Sequence, residues 1–174
     1  TDMNAHIGDI AVLKMDGVSM SARAEHQAAL DRMAGFESVV DLDALEQLPA
    51  ETFGYAVARF MKDNGLSPLV LTSEVGPEIR RRNVYGIRVS QTHDRIHGLT
   101  GFDTSWPGEM GVYAVQVAQR WSPWSPMLGL TTWLFYPILT FGRIGALRAA
   151  WRRGMQLGEQ APFLLAEPLE EMFE

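Results

Sequence analysis

The chain is 174 residues long, enough for one domain with a core of its own. It contains no cysteine, which excludes disulfides, iron–sulfur clusters and thiolate zinc sites, so any metal must be held by His, Asp or Glu. The formal charge of −6 argues against a general nucleic-acid binder, because such binding rests on a basic surface that neutralises phosphates.

The opening TDMNAHIGDIAVLKMDG has neither a basic start followed by an apolar run nor an Arg-rich composition, so no secretory signal or transit peptide is expected. Ser21 to Met33 reads as a helix with Ala24, Ala28, Ala29 and Met33 inward. Asp41-Leu42-Asp43 leads into a short helical piece ending before Pro49. Glu51 to Asn64 is a helix, with Phe53, Ala56, Val57, Phe60 and Met61 at helical spacing and Gly65 as its stop. Leu66 to Gly76, bounded by Ser67-Pro68 and Gly76-Pro77, is a loop or short extended segment.

Tyr85, Val89, Thr92 and Ile96 trace one stripe and predict a helix from Glu78 to His97, although Tyr85, Ile87 and Val89 also alternate as in a strand. Gly98 and Gly101 end that segment. Pro107 suits the first turn of the next helix, which runs to about Trp121 with Met110, Tyr113, Val117 and Trp121 inward. No charged residue occurs from Trp121 to Gly142. Pro123, Pro126 and Pro137 oppose a membrane span there, because each removes a backbone donor that lipid cannot replace. Three readings stay open for Met127 to Phe141: a buried, kinked core helix, the lining for a long apolar ligand, or a surface dipping into a bilayer with Trp121 and Trp124 at its rim. Helix resumes from Arg143 to Leu157 and Gly158 closes it. Arg143, Arg148, Arg152 and Arg153 form an acid-free basic run, read either as a solvated face or as a surface for phosphates. The acidic end, from Glu159, carries no base. No βαβ alternation and no phosphate loop are present, so the expected class is all-α.

The chemistry concentrates in HDRIHGLTGFDTSWPGE, residues 93–109. On a helix, His93 and His97 are one turn apart and project from the same face, within reach of one divalent cation. Asp94 lies at i,i+3 to His97 and leans toward the same point. Glu109 falls in the first turn of the next helix, where the positive helix end favours the ionised carboxylate that a metal needs. Two imidazoles and two carboxylates suit zinc, iron or manganese and are too nitrogen-rich for calcium. A metalloprotease reading is disfavoured because Asp replaces the general-base Glu of the H-E-x-x-H helix. An H…HD…D phosphohydrolase is disfavoured because the last aspartate is Asp103. His6 and His26 lack a spaced partner and read as surface residues. Arg80-Arg81-Arg82 reads as a solvated basic turn or a grip for an anionic head group, and Asp103 as a partner for Arg88 or a ligand histidine.

The spacing His93-Asp94-x-x-His97, eleven residues, then Glu109, with Gly101, Thr104 and Gly108 between, resembles the signature of the Coq-four family of ubiquinone (coenzyme Q) biosynthesis proteins. The likeness extends to Leu48-Pro49, Thr52-Phe53-Gly54-Tyr55 and Phe60-Met61, to Tyr85 and Arg88, and to Gly158, Ala161-Pro162 and Pro168-Leu169-Glu170. Departures occur at Ser90-Gln91-Thr92, at Phe102-Asp103 and throughout the region before Leu48.

The resemblance implies a single helical bundle over residues 1–174, with a metal site between two adjacent helices and an apolar groove or tunnel. It implies His93, Asp94, His97 and Glu109 as ligands, with zinc foremost and iron, manganese or magnesium as alternatives. The implied activity is oxidative decarboxylation, a C1 hydroxylation, of a polyprenylated 4-hydroxybenzoate with dioxygen as co-substrate. Substrate or lipid contacts are expected at Arg88, Trp106, Met127, Trp133, Phe135 and Phe141. Implied partners are other quinone-biosynthesis enzymes, a second copy in a homodimer and a membrane surface. The implied location is cytoplasmic, peripheral to an inner membrane. A non-catalytic isoprenoid carrier or scaffold, or an enzyme for another isoprenoid such as a carotenoid, are the rival readings.

Overall fold

A computed structural model describes residues 6–36 and 40–173. Among them the chain forms nine α-helices and no strand. These are α1 (Ile7–Gly17), α2 (Ala24–Asp31), α3 (Leu42–Leu45), α4 (Phe53–Asp63), α5 (Pro77–Arg82), α6 (Val84–Thr100), α7 (Trp106–Ala118), α8 (Ser125–Leu139) and α9 (Ile144–Gln160). Two 3-10 turns follow, Leu164–Ala166 and Leu169–Met172. The fold is all-α, as expected.

The middle of the bundle is α6, which buries an unusual amount of polarity: Arg88, Ser90, Gln91, Thr92, Arg95, His97 and Thr100. Three of these need no outside partner, because the Ser90, Thr92 and Thr100 hydroxyls donate to carbonyls four residues back. Arg88 is fully buried and donates to the carbonyls of Leu165 and Glu167, tying the C-terminal turns to α6. The single helix expected from Glu78 to His97 is two helices. The Asn83 side chain accepts from the Gly86 N–H and caps α6, which ends α5 one residue earlier and excludes a strand over Val84 to Val89.

Helices α7 and α9 form the tightest seam. A methyl group at Gly154 would overlap the Gly111 carbonyl and the Ala114 side chain, and one at Gly158 would overlap Val115 and Ala118. Gly158 therefore does not close a helix, as its place in the sequence suggests. It lies inside α9, which runs on to Gln160, and lets two backbones approach. Gln119 locks the end of this seam: its amide donates to the Pro162 carbonyl at 2.5 Å, and its oxygen accepts from Trp121 Nε1 and the Leu164 N–H.

Other expectations change. In α2, Ala24 and Ala28 face solvent, while Leu30 and, as expected, Met33 fill the core. Helix α1 was not anticipated; Val12 is buried beneath it, and its buried Asp9 accepts from the Thr72 N–H and hydroxyl, fastening the 66–76 loop. His26 stacks on Phe163, with ring centroids 4.0 Å apart, and donates to the Gln119 carbonyl. Arg80 donates to the carbonyls of Leu71, Thr72 and Val75, while Arg82 pairs with Asp16. Above all, α8 is not a core helix. It packs on α7 and α9 along one side only, leaving Leu130 72% and Ile138 70% exposed. Trp121 is wholly buried, so of the two expected rim tryptophans only Trp124 reaches the surface.

Candidate metal centre

Helices α6 and α7 meet through a short turn built to bring Glu109 back to the histidines. Gly101 ends α6 at φ 68°, where its N–H bonds the His97 carbonyl. Asp103 Oδ1 then accepts from the Ser105 N–H and hydroxyl, and Ser105 in turn caps α7 by accepting from the Gly108 N–H. Gly108 is required because a side chain there would overlap the backbone and carboxylate of Asp103. Asp103 thus shapes the turn; the contact expected with Arg88 or a histidine is not its role.

The ligand atoms of His93, His97 and Glu109 all lie within 4.8 Å of one another. One Glu109 oxygen is 3.4 Å from His93 Nε2 and the other 3.4 Å from His97 Nε2. These separations exceed a normal hydrogen bond. Each is close to the spacing of about 3.4 Å between donors arranged tetrahedrally about 2.1 Å from a zinc ion, but different Glu109 oxygens make the two approaches, and one atom from each residue gathers only to within 4.8 Å.

His97 is 1% exposed, and its Nε2 has no hydrogen-bond partner. Its Nδ1–H donates to the Phe102 carbonyl at 3.0 Å, which fixes the tautomer and leaves the Nε2 lone pair free. Phe60 of α4 stacks flat on the ring, 4.9 Å away at 7°, so the imidazole is held in orientation from both sides. His93, half-buried, meets His97 edge-on at 5.0 Å. An orphaned buried nitrogen, pre-set in tautomer and facing a carboxylate, fits a cation and leaves little else to satisfy it.

Electrostatics agree. Burial pushes Glu109 up, but His93 and His97 outweigh it and bring its pKa down to about 2, so it is ionised under all ordinary conditions. Burial pushes His97 down, yet Glu109, the Phe102 carbonyl and Asp94 together raise it above the ordinary imidazole value. Asp94 is raised, chiefly by its burial, with both histidines pulling the other way. Its carboxylate lies outside the three-residue group, within electrostatic reach of it.

The expected substrate residues separate. Trp106 and Phe141 line a cavity of about 370 Å³ beside the first turn of α7, together with Ser105, Leu139 and Arg143. Met127 lines a smaller one with Val18 and Trp124, Trp133 packs edge-on against Trp151, Phe135 faces solvent, and Arg88 is bound to the C-terminal turns. A second apolar cavity, of about 380 Å³, lies between Leu99, Phe53, Val115, Leu157 and Leu164. Phe60, the Phe102 carbonyl and Tyr136 escaped the sequence reading. Tyr136 packs edge-on against Trp106, and its phenol is pushed up by burial and by Glu109. Phe60 was visible as an inward apolar position and as part of the family likeness but not as a partner of His97, and a backbone carbonyl has no letter.

Residues 10–166 match the family described as Coenzyme Q (ubiquinone) biosynthesis protein Coq4. Among curated proteins, the chain is 32% identical over 89 residues to the mitochondrial ubiquinone biosynthesis protein COQ4 homolog of Anopheles gambiae, and 33% identical over 86 residues to that of Drosophila ananassae. Those stretches cover 48% and 49% of this chain but 30% and 32% of the relatives, so it matches about a third of their length. In three dimensions it resembles the crystal structure of a protein assigned to ubiquinone biosynthesis from Nostoc punctiforme, with a TM-score of 0.65, 26% identity, and coverage of 95% of this chain and 74% of that one. A helical bundle that sets an orphaned histidine nitrogen against a carboxylate, matched over residues 10–166, thus belongs to the Coq4 family of coenzyme Q (ubiquinone) biosynthesis proteins.

Proposed function

We propose that the protein carries out a metal-dependent oxidative decarboxylation of a polyprenylated 4-hydroxybenzoate, with a divalent cation, zinc foremost, held by His93, His97 and Glu109 and with Asp94 as a fourth donor. The observation that carries this reading is the unsatisfied Nε2 of His97, buried and 3.4 Å from Glu109. When bound, the cation supplies charge stabilisation for the ring carboxylate or phenolate.

The rest falls to the chain's own side chains. Phe60 and the Phe102 carbonyl hold the His97 imidazole in one tautomer and one plane. Glu109 stays ionised and balances the cationic charge. Tyr136 of α8 packs edge-on against Trp106 and lies within electrostatic reach of Glu109. The phenolate directs electron density to the carbon para to it, which bears the carboxylate. Replacing that carboxylate by a hydroxyl is a two-electron oxidation: dioxygen takes two electrons and two protons and becomes hydrogen peroxide, water supplies the hydroxyl oxygen at that carbon, and the bond to the carboxylate breaks to release carbon dioxide. The tail lies on apolar surface near Leu139 and Phe141, where each buried methylene contributes about 0.8 kcal/mol.

The test is direct. Purified protein given a prenylated hydroxybenzoate under oxygen should release one carbon dioxide for each hydroxylated product. A carrier or scaffold would bind the precursor and release none, and that outcome overturns the proposal.

A further inference from the structure

We propose that the hydroxyl of Tyr136 is the hydrogen-bond donor for the substrate's phenolate oxygen, an assignment that rests on the oxidative decarboxylation proposed above.

Tyr85 of α6 and Tyr136 of α8 both lie within electrostatic reach of Tyr113 on α7. Of these three phenols, one is unspent. The Tyr113 hydroxyl donates to the Ser125 carbonyl at 2.9 Å, and the Tyr85 phenol has the Ser122 side chain beside it. Tyr136 is half-buried, and its ring meets Trp106 edge-on with centroids 5.0 Å apart. Its hydroxyl makes no hydrogen bond to any described residue. A tyrosine whose ring is packed ordinarily gives its O–H a partner as well.

Its position puts that free donor beside the reaction. Trp106 opens α7, and Glu109 lies one turn on along the same face. Packing against Trp106 therefore sets Tyr136 at that turn. Burial first, and then the Glu109 charge, push its phenol up, so it keeps its proton and acts as a donor. Along α8, Leu139 and Thr140 follow Tyr136 by three and four residues and share its face. Both line, with Trp106, the cavity of about 370 Å³ near which the tail lies. Tyr136 thus stands between the metal centre's carboxylate and that cavity.

The substrate's own chemistry selects the oxygen. A ring hydroxyl directs an incoming prenyl group to the carbons beside it or opposite it. In 4-hydroxybenzoate the opposite carbon already bears the carboxylate, so the tail sits next to the hydroxyl. With the tail at Leu139 and Phe141, the hydroxyl falls on the Tyr136 side and the carboxylate lies across the ring. The charges around this place are Glu109 with His93 and His97 on one side and Arg143 of the cavity on the other. Ionised Glu109 opposes a second anion nearby, whereas a hydrogen bond donated to a phenolate favours it. The phenol's proton leaves to water, and the phenolate sends electron density to the carbon that loses the carboxylate. A Tyr136 that only packs on Trp106 would do none of this, and phenylalanine would replace it fully.

Binding without oxygen tests the assignment. Zinc-loaded protein is titrated with a prenylated 4-hydroxybenzoate at mildly alkaline pH, read by calorimetry and by the ligand's phenolate absorption. The 4-methoxy analogue, which cannot ionise, is the control ligand. Tyr136→Phe should keep its zinc and its helical spectrum and lose the phenolate band. It should bind the hydroxy ligand about tenfold or more weakly than wild type, and the methoxy ligand within about twofold. Tyr113→Phe should leave binding of both ligands unchanged, whatever it costs in stability. Equal binding and an equal band in wild type and Y136F overturn the assignment. So does an equal loss for both ligands or a loss of zinc, either of which makes Tyr136 a packing residue. A wild type that binds neither ligand overturns the decarboxylation reading itself. Carbon dioxide release is a separate assay, so the two failures are told apart.

Discussion

His97 and Leu134 stand on helices of the same bundle, and their surroundings share almost nothing. Around His97 the chain supplies a stacked ring, a carbonyl for one nitrogen and an ionised carboxylate, and leaves one lone pair unmet. Around Leu134 it supplies nothing on the outer side, over a face that runs from Met127 to Ile138. Both regions are incomplete, and the form of the deficit says what completes each. A single pre-oriented nitrogen asks for a point charge at a fixed place. A broad apolar face asks for an extended apolar medium and tolerates imprecision. Substitutions at the first should therefore act on chemistry, and those at the second on location.

The largest effect is expected at His97. His97→Ala removes the orphaned donor, so elemental analysis should find the bound metal gone and turnover lost by more than about 100-fold, beyond the cost of disturbing a ligand's supporting partners. Helical content should persist, because the seam between α7 and α9 is untouched. Retained product formation in metal-free protein would break the contrast drawn above. Next comes the seam itself. Gly154→Val forces a side chain into the Gly111 carbonyl and should destabilise by about 3 kcal/mol or more, whereas Gly145→Ala, with nothing within 4 Å, should be neutral or gain up to about 1 kcal/mol. Melting curves of the two variants separate tight packing from a mere glycine preference.

A smaller effect is written in pH. In metal-free protein His97 is raised above its unfolded value, so its protonated form contributes stability fully below the ordinary imidazole range, and that contribution is lost as pH rises through the raised value. A proton and a cation compete for the same nitrogen, so added zinc should raise the melting temperature less at about pH 5 than at about pH 8. Glu109, with its pKa near 2, stays ionised throughout and adds no slope in that window. A shift that does not change between the two pH values would show that His97 is not a ligand.

The site around His97 was far more legible in the letters than the outer face of α8, for physical reasons. Histidines four apart on a helix share a face whatever surrounds them, and Pro107 with Glu109 marks a helix start. The break at Asn83 was harder to see, since its cap depends on a side chain competing for backbone rather than on periodicity. Gly158 looked like a stop because a glycine needed for close approach and one needed for a turn are the same letter. For α8, hydropathy reports only a preference to leave water. Whether the medium is the protein's own core or something outside depends on how far α7 and α9 extend over it, and no local pattern encodes that.

The smallest expected effect is the sharpest separation of the two regions. Leu134→Ser removes a large apolar side chain from a helix, a change that costs about 2–5 kcal/mol in a core. Here the side chain is 63% exposed, so little transfer energy is lost and no cavity forms. What remains is a modest difference in helix propensity, and the melting point should move by no more than about 0.5 kcal/mol equivalent. Metal content should be unchanged, since Leu134 points away from Trp133 and Tyr136 on the packed side. A core-sized loss of stability in the isolated protein would mean that the outer face is already covered in solution, and the division between a site that asks for an ion and a face left open would fall.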